Sequence, residues 1–347
     1  MIALTNMHIL IIKLSAIGDV VQTLPALEAI KRTFPHAEID WAVEEAASDI
    51  LVGHPLIDRL LVSRRKEWSR MLKRPRTFLQ GLKGFTGFIG ELRSRRYDIA
   101  IDLQGLLKSG VVIGLARATR KIGFAGTREL SHLFLNERLP AYDIEKHALE
   151  RYLDVARYLG AVDPPPVCTL PIGAELAALR GRIGELAAKG RKVVVLNPVA
   201  RWKTKLWQEE KFAQLADRLV LERNAMVVLA GSPGDRAVTG RIRSLMRQSA
   251  YDWAGETTLR ELAALAALAD LFITTDTGPM HLAAAAGGRV VALFGPTAPW
   301  RTGPYGPGHV VVRAEITCSP CFKRECDIGV KCMQEISVDE VMKKIPM

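Results

Sequence analysis

Long apolar runs are missing from this sequence of 347 residues. A helix that spans a bilayer needs about 18 or more consecutive apolar residues, and no stretch reaches that length. The first residues also lack the basic flank and apolar centre of a secretory signal peptide. From these two absences we expect a cytoplasmic protein without a membrane-spanning segment.

Three ligand-binding motifs are absent as well. There is no G-x-x-x-x-G-K-[ST], which excludes a P-loop ATPase, and no G-x-G-x-x-G, which argues against a dinucleotide-dependent dehydrogenase. No Asp-x-Asp occurs either, so the chain has no such motif to hold a divalent metal against a diphosphate. We expect no cofactor, and no divalent metal held by an Asp-x-Asp motif.

Acidic residues are scarce in one stretch. The net charge is +11, and residues 64–96 carry eleven Lys or Arg but only two acids, Glu67 and Glu91. This local excess predicts an anionic partner, either nucleic acid, a membrane surface or an acidic glycan. The alternative is a solvated basic helix face. Within this stretch, the glycines of residues 78–92 predict an interrupted, mobile helix, because glycine weakens helices.

Both halves of the chain alternate short apolar runs with helical patterns. The proline-rich segment 162–167 is typical of a linker. We predict a doubly wound α/β architecture with two Rossmann-like domains that face a central cleft. The predicted domains are residues 1–165 and 166–335, followed by a C-terminal helix, 336–347, expected to pack back on the first domain.

The opening stretch, residues 8–34, has the order strand, short polar loop, helix. Residues 9–12 are a buried-strand pattern, residues 13–19 are the loop, and Asp19 lies at the predicted helix start. Ligands of doubly wound domains bind at the carboxyl ends of the strands. Asp19 is therefore a catalytic candidate, or simply a helix N-cap, because carboxylates favour that position.

A second strand end reads TTDTGPMH over residues 274–281. A helix that begins at Thr277 and Gly278 would present its amide groups to an anion, and Gly278 would let a phosphate approach closely. His281 lies one turn further on and could touch the same anion. The alternative is an ordinary N-capped helix, with Asp276 or Thr277 as the cap and His281 packed.

Two further residues of this half are candidates for nucleotide binding. Lys205 lies on a polar loop that could bring its ammonium group to the same phosphates. Asp235 follows a glycine-bearing turn, where a carboxylate can accept hydrogen bonds from the two hydroxyls of a ribose.

Six ordered segments resemble glycosyltransferase family 9, and within it the ADP-heptose:lipopolysaccharide heptosyltransferases. The segments are KLSAIGDVVQTLPAL, IDWAVEE, IDLQGLLKS, KHALERYL, TTDTGPMHLAAA and LFGPT. The second and third look most like the heptosyltransferase I group, which acts on Kdo of the inner core. The resemblance extends from about residue 8 to about residue 300.

The resemblance implies a GT-B fold and an inverting transfer of heptose from ADP-heptose to Kdo, without a catalytic metal. It implies that Asp19 is the general base that takes the proton of the attacking acceptor hydroxyl. The implied donor-binding residues lie in the second half: Lys205 for the diphosphate, Asp235 for the ribose, and Asp276, Thr277, Gly278 and His281 for the heptose and phosphates.

The implied acceptor-binding residues are all basic: Arg64, Arg65, Lys66, Lys108 and Arg128. Kdo is a carboxylated sugar, so a basic lip fits its charge. The implied partners are ADP-heptose, an anionic Kdo–lipid A acceptor and the inner leaflet of the cytoplasmic membrane, on which the protein would be peripheral. No nucleic acid is expected.

Other functions stay open at this point. The chain reads Val199-Ala200-Arg201 where the heptosyltransferase I pattern has threonines, so the enzyme could resemble heptosyltransferase II or III or use another nucleotide sugar. The basic stretch alone would also suit a nucleic-acid-binding protein, and a transferase fold could serve as a non-catalytic nucleotide sensor.

Four of the five cysteines fall close together, in the pattern C-x2-C-x4-C-x5-C: Cys318, Cys321, Cys326 and Cys332. Such a group could hold a structural zinc ion, form two disulfides or remain as free thiols.

Overall fold

The computed structural model describes residues 7–127, 129–162, 166, 168–187 and 190–345. It divides the chain into two compact units, Met1–Pro171 and Ile172–Met347. The sequence-based boundary at residue 165 lies slightly earlier. Residues past it belong to the first unit because the Thr169 carbonyl lies 3.1 Å from Nε2 of the buried His54. A carbonyl only accepts, so Nε2 is the donor.

The first unit has a parallel six-stranded sheet in the order β3-β2-β1-β4-β5-β6. Its strands are β1 (His8–Ile12), β2 (Glu38–Glu44), β3 (Arg59–Ser63), β4 (Tyr97–Asp102), β5 (Ala118–Phe124) and β6 (Glu137–Leu139). Its helices are α1 (Ile17–Thr33), α2 (Glu45–Ser48), α3 (Arg65–Leu72), α4 (Phe78–Arg93), α5 (Leu107–Leu115) and α6 (Ala148–Tyr158). The four apolar residues of β1 are fully buried, as expected for a central parallel strand covered on both faces.

The second unit repeats this topology. Its strands are β7 (Lys192–Asn197), β8 (Ala225–Leu229), β9 (Tyr251–Asp252), β10 (Leu271–Thr275), β11 (Val290–Phe294) and β12 (Val310–Arg313). They run parallel in the order β9-β8-β7-β10-β11-β12. Counted within each unit, both sheets have the Rossmann order 3-2-1-4-5-6, and the predicted α/β class is confirmed.

The helices of the second unit are α7 (Gly173–Leu186), α8 (Glu209–Arg223), α9 (Arg236–Leu245), α10 (Leu259–Leu268), α11 (Gly278–Ala285), α12 (Pro299–Thr302), α13 (Lys331–Gln334) and α14 (Val338–Lys344). The terminal helix α14 packs on α8 and β12. Val341 and Met342 on its inner side belong to the core of this unit. The apolar side of the chain's last helix is therefore buried in the second unit.

Helix α4 differs from its prediction. It is continuous from Phe78 to Arg93, so the expectation of an interrupted helix is wrong. A Cβ at Gly81 would lie 2.9 Å from the Trp68 carbonyl oxygen, and one at Gly84 would overlap the Trp68 indole. These glycines allow α3 and α4 to pack closely, and that packing outweighs their weak helix propensity. None of the helices in the described residues combines the length and apolar character that a bilayer crossing requires.

Candidate functional site

The strand order reverses direction once in each unit. In the first unit this happens between β1 and β4, and in the second between β7 and β10. Ligands of doubly wound sheets bind outside the carboxyl ends of the strands at such a switch point. The loops that follow these four strands are therefore where each unit should place its functional side chains.

Asp19 is the third residue of α1, immediately beyond the carboxyl end of β1. Its Oδ2 accepts a hydrogen bond from the Ala16 amide at 3.1 Å, so the carboxylate caps its own helix from inside the first turn rather than from the N-cap position. Its Oδ1 accepts a hydrogen bond from the Tyr152 hydroxyl at 3.3 Å. The side chain remains partly exposed. Capping thus holds the carboxylate in place without removing it from solvent.

Behind Asp19 lies a buried lysine that the sequence analysis missed. Lys13 is only 2% exposed and donates to the Leu103 carbonyl at 2.8 Å and to the Tyr152 hydroxyl oxygen at 2.7 Å. Burial lowers the pKa of Lys13, and the nearby carboxylates of Asp19 and Asp102 oppose that shift. Burial and Asp19 raise the pKa of Tyr152 well above its usual value, so Tyr152 stays protonated and donates to Asp19.

Glu44, at the end of β2, forms ion pairs with two of the basic residues predicted to bind the acceptor. Lys108 Nζ lies 2.9 Å from Glu44 Oε1, and Arg65 Nη2 lies 3.4 Å from the same oxygen. Lys108 also donates to Ser15 Oγ at 2.5 Å. Burial opposes ionisation of Glu44, but Lys108 and Arg65 together overcome it, so the pKa of Glu44 is lowered. The carboxylate stays charged and fixes both cations at the switch-point edge.

The other predicted acceptor residues are placed differently. Arg64 pairs with the exposed Glu45 at 3.0 Å, and Lys66 lies exposed in the first turn of α3. Arg128 lies outside the described residues. The structure therefore brings Arg65 and Lys108 to one carboxylate and leaves Arg64 and Lys66 on the adjoining surface.

In the second unit, Lys205 and Asp276 form a direct ion pair. Lys205 Nζ lies 2.6 Å from Asp276 Oδ2, which also accepts a hydrogen bond from the Thr297 hydroxyl at 2.5 Å. Asp276 is 5% exposed and Lys205 16%, so the pair is largely shielded. An ammonium group has three donors, and one of them is directed to Asp276. Asp276 therefore orients Lys205 and compensates its charge.

The N-terminus of α11 lies directly after Asp276. Thr277 is the N-cap residue, Gly278 is the first helical residue, and His281 lies one turn into the helix. Helix N-termini attract anions through their free amide groups and the helix dipole. Lys205 from the loop after β7 thus meets the segment after β10, which carries Asp276, Thr277, Gly278 and His281, at the switch point of the second unit.

Asp235 follows β8, the strand next to β7. Its Oδ2 accepts hydrogen bonds from the Ser232 amide at 2.8 Å and the Ser232 hydroxyl at 2.5 Å. Asp235 therefore stabilises its own turn at the same edge of the sheet as Lys205, with its side chain partly exposed.

The four clustered cysteines are free thiols in the structure. Over the residues that the structure describes, no group of three or more His, Cys, Asp or Glu side chains is arranged to hold a metal ion. Burial raises the pKa of Cys332, and Cys321, Cys318 and Cys326 raise it further. Zinc binding stays a prediction from spacing.

The sequence pattern indicates structural positions for Lys13, Tyr152 and Glu44. It does not indicate their contacts in the candidate site. Lys13 directly follows the β-branched strand, where a polar residue marks a strand end. Tyr152 has helical spacing with the apolar residues of α6, which indicates a buried ring, whereas the partner of its hydroxyl lies 133 residues away in the chain. Helical periodicity shows which face is buried, and it does not show which polar atom that face contacts.

A carboxylate backed by a tyrosine in one Rossmann-like unit, and a lysine beside a helix N-terminus in the other, are features that a nucleotide-dependent group transferase would use. The sequence profile of glycosyltransferase family 9 (heptosyltransferase) matches residues 86–331. The chain belongs to glycosyltransferase family 9 and is a glycosyltransferase, as the sequence resemblance predicted.

Curated and solved relatives agree with this assignment. The chain is 32% identical to lipopolysaccharide heptosyltransferase 1 of Pseudomonas aeruginosa over 330 residues, which is 92% of this chain and 87% of that protein. The structure of E. coli heptosyltransferase WaaC with ADP matches with a TM-score of 0.77 and 25% identity, over 97% of this chain and 98% of that one. E. coli ADP-heptose lps heptosyltransferase II matches with a TM-score of 0.76 and 24% identity, over 97% of each chain. The predicted GT-B fold class is confirmed.

Proposed function

We propose that this enzyme transfers heptose from ADP-heptose to the Kdo region of the lipopolysaccharide inner core, with inversion at the anomeric carbon and without a catalytic metal. The observation that carries the proposal is the Asp19 carboxylate, held at the β1–β4 switch point by Ala16 and Tyr152. The likeness to lipopolysaccharide heptosyltransferase 1 supports the choice of donor and acceptor.

In the proposed reaction, Asp19 accepts the proton of an acceptor hydroxyl while that oxygen attacks the anomeric carbon. The bond from this carbon to the diphosphate oxygen breaks as the new bond forms, and ADP leaves from the opposite face. Tyr152 acts as a positioning residue, because its hydroxyl donates to one oxygen of Asp19. The other oxygen, held by the Ala16 amide, keeps the carboxylate from rotating.

The second unit would bind the leaving group. Lys205, through the ammonium donors that are not directed to Asp276, and the N-terminus of α11 would donate hydrogen bonds to the diphosphate, while Asp276 holds Lys205 in place. Asp235 would accept hydrogen bonds from the ribose hydroxyls. Because these groups meet the charge that develops on ADP, the proposal needs no metal.

The acceptor would lie over the first unit. Arg65 and Lys108 are anchored on Glu44, with Arg64 and Lys66 beside them on the surface. These cations match the carboxylates of Kdo and the phosphates of lipid A. Because lipid A resides in a bilayer, we also propose that the protein works as a peripheral protein on the inner face of the cytoplasmic membrane.

The direct test measures ADP release from ADP-heptose with Kdo2-lipid A in detergent micelles. We expect release that depends on the acceptor and is lost in Asp19→Asn. Turnover only with an already heptosylated core would assign a heptosyltransferase II- or III-like acceptor instead. Turnover only with another nucleotide sugar, such as ADP-glucose, would indicate a different donor, and residues 199–201 would then be the first to test for donor specificity.

A further inference from the structure

Three large apolar side chains are exposed on one side of α4. Leu79 is 76% exposed, Phe78 46% and Leu82 45%. Phe78 and Leu82 are one helical turn apart, and Leu79 lies beside them on the same arc of the helix. The adjoining side, which includes Phe88 and Leu92, is buried. We call the surface formed by Phe78, Leu79 and Leu82 the α4 apolar face.

The exposure of this face does not come from a loose helix. Trp68 of α3 packs against Phe85 and Phe88 of α4, with ring centroids 5.1 and 5.9 Å apart. Gly81 and Gly84 allow the Trp68 residue to approach the α4 backbone. The helix is therefore anchored on its inner side while its apolar face remains in solvent. Leaving so much apolar surface in water is unfavourable unless something covers it.

Exposed cations border the α4 apolar face. Lys73, Arg74 and Arg76 precede α4, and Lys83 follows Leu82. Over the part of the chain that the structure describes, no carboxylate lies within ion-pair distance of any of these four side chains. Glu67 is the one acid between residues 64 and 83. The charge around the face is thus both strong and uncompensated.

We propose that the α4 apolar face inserts into an anionic bilayer, with Lys73, Arg74, Arg76 and Lys83 contacting lipid phosphates. Apolar side chains ringed by Lys and Arg fit the boundary between acyl chains and anionic headgroups. A second copy of this chain would bring the same cations against themselves, so charge complementarity disfavours self-association.

The location of this surface gives it a role in catalysis, and this step rests on the proposed function. Helix α3 begins at Arg65, which contacts Glu44, and it continues towards Lys73 and α4. One continuous segment therefore joins the membrane surface to the proposed acceptor cations. Docking would deliver a lipid-linked acceptor to the switch point of the first unit.

The test is flotation of the full-length protein with vesicles of phosphatidylcholine alone or mixed with phosphatidylglycerol. We expect binding to the mixed vesicles only, and we expect it to weaken as salt is added. The double variant L79S/L82S should lose at least about tenfold in partitioning. Leu221→Ser is the matched control, because Leu221 is 67% exposed on α8 of the other unit.

A series of charge variants separates the contribution of the cations to vesicle binding from that of the apolar side chains. Lys73→Gln, Arg74→Gln and Arg76→Gln together should also release the protein from anionic vesicles, whereas Arg223→Gln on α8 should not. Thermal unfolding of each variant checks that the fold is intact. Equal partitioning of wild type and L79S/L82S would overturn the proposal. So would a concentration-dependent dimer that the same double variant abolishes, because a second copy would then cover the face.

Membrane docking can be distinguished from the proposed reaction. With a water-soluble Kdo acceptor that lacks acyl chains, L79S/L82S should turn over like wild type. With vesicle-embedded Kdo2-lipid A, its rate should fall at least about tenfold, in step with partitioning. If wild type binds anionic vesicles but transfers to neither acceptor, the reaction is wrong and the docking surface stands. If L79S/L82S transfers heptose to the soluble acceptor and to the vesicle-embedded acceptor at the rates of wild type, the proposed reaction is supported and the proposed docking surface is wrong.

Discussion

The two units share one topology and place different chemistry on it. After its first strand, the first unit has the buried Lys13 and then Asp19, whereas the first strand of the second unit ends at Asn197 and leads to the turn that carries Lys205. After the fourth strand, the second unit has Asp276 and an open helix N-terminus. The same sheet edge thus serves a proposed proton acceptor in one unit and a proposed phosphate site in the other.

The contrast extends to the third strand of each sheet. In the first unit, β3 leads into the basic α3–α4 segment, and in the second, β9 is only two residues long. A parallel sheet determines where loops emerge, while the side chains on those loops determine which ligand they suit. A substitution in one unit should therefore leave the ligand binding of the other unit intact.

The largest expected effect comes from removing the carboxylate of the first unit. Asp19→Ala should lower kcat by about 10²- to 10⁴-fold, the usual value of a general base. The ADP dissociation constant should stay unchanged, because Lys205 and α11 belong to the other unit. Steady-state kinetics and calorimetric titration with ADP measure the two quantities. Turnover within a few-fold of wild type would show that Asp19 only caps α1.

The converse experiment removes the cation of the second unit. Lys205→Ala should weaken ADP binding by about 10- to 100-fold, because it deletes a charge-assisted contact and leaves Asp276 buried without its partner. Lys203→Ala, in the same short turn but exposed, is the matched control and should bind ADP normally. Equal effects of the two variants would contradict a specific role for the Lys205–Asp276 pair.

A smaller loss should follow from Tyr152→Phe, which keeps the ring and removes the hydroxyl shared by Lys13 and Asp19. We expect kcat to fall by about tenfold, since hydrogen bonds to charged groups contribute about 1.5–3 kcal/mol. KM for ADP-heptose should not change. A parallel change in KM, or a loss of thermal stability that explains the lower rate, would show that Tyr152 contributes packing and does not position Asp19.

The smallest effect concerns stability and its pH dependence. The pKa of Glu44 is lowered in the folded state, so as pH falls the unfolded chain takes up the proton first. The ionised Glu44 therefore stabilises the fold fully above its unfolded pKa of about 4.3, and this contribution is lost as pH falls through the lower folded value. Glu44→Gln should cost about 2 kcal/mol at pH ~7 and progressively less in acid.

Urea unfolding at neutral and acidic pH measures this difference. Glu45→Gln is the control, because the Arg64–Glu45 pair is exposed on both sides and should contribute less than about 1 kcal/mol. A pH-independent cost for Glu44→Gln would mean that packing, rather than its two cations, accounts for the stabilisation.

Much of the fold was predictable because it depends on local patterns. The β-branched run before Lys13 predicted β1, and the order strand, loop, helix placed Asp19 at a sheet edge. The segment TTDTGPMH likewise predicted a helix N-terminus at Thr277. The prediction for α4 failed because it used glycine propensity alone, and the contact with Trp68 that makes those glycines useful comes from another helix.

The sequence by itself determined the class of fold, the family and the strand ends that carry charge, because periodicity and motif order are local and survive in a single chain. Only the tertiary structure decided which charges meet. Glu44 draws Lys108 to itself across 64 residues, and Lys13 reaches Tyr152 across 139. Buried charges must find partners, and here those partners lie on helices α5 and α6, which are distant in the chain from β1 and β2.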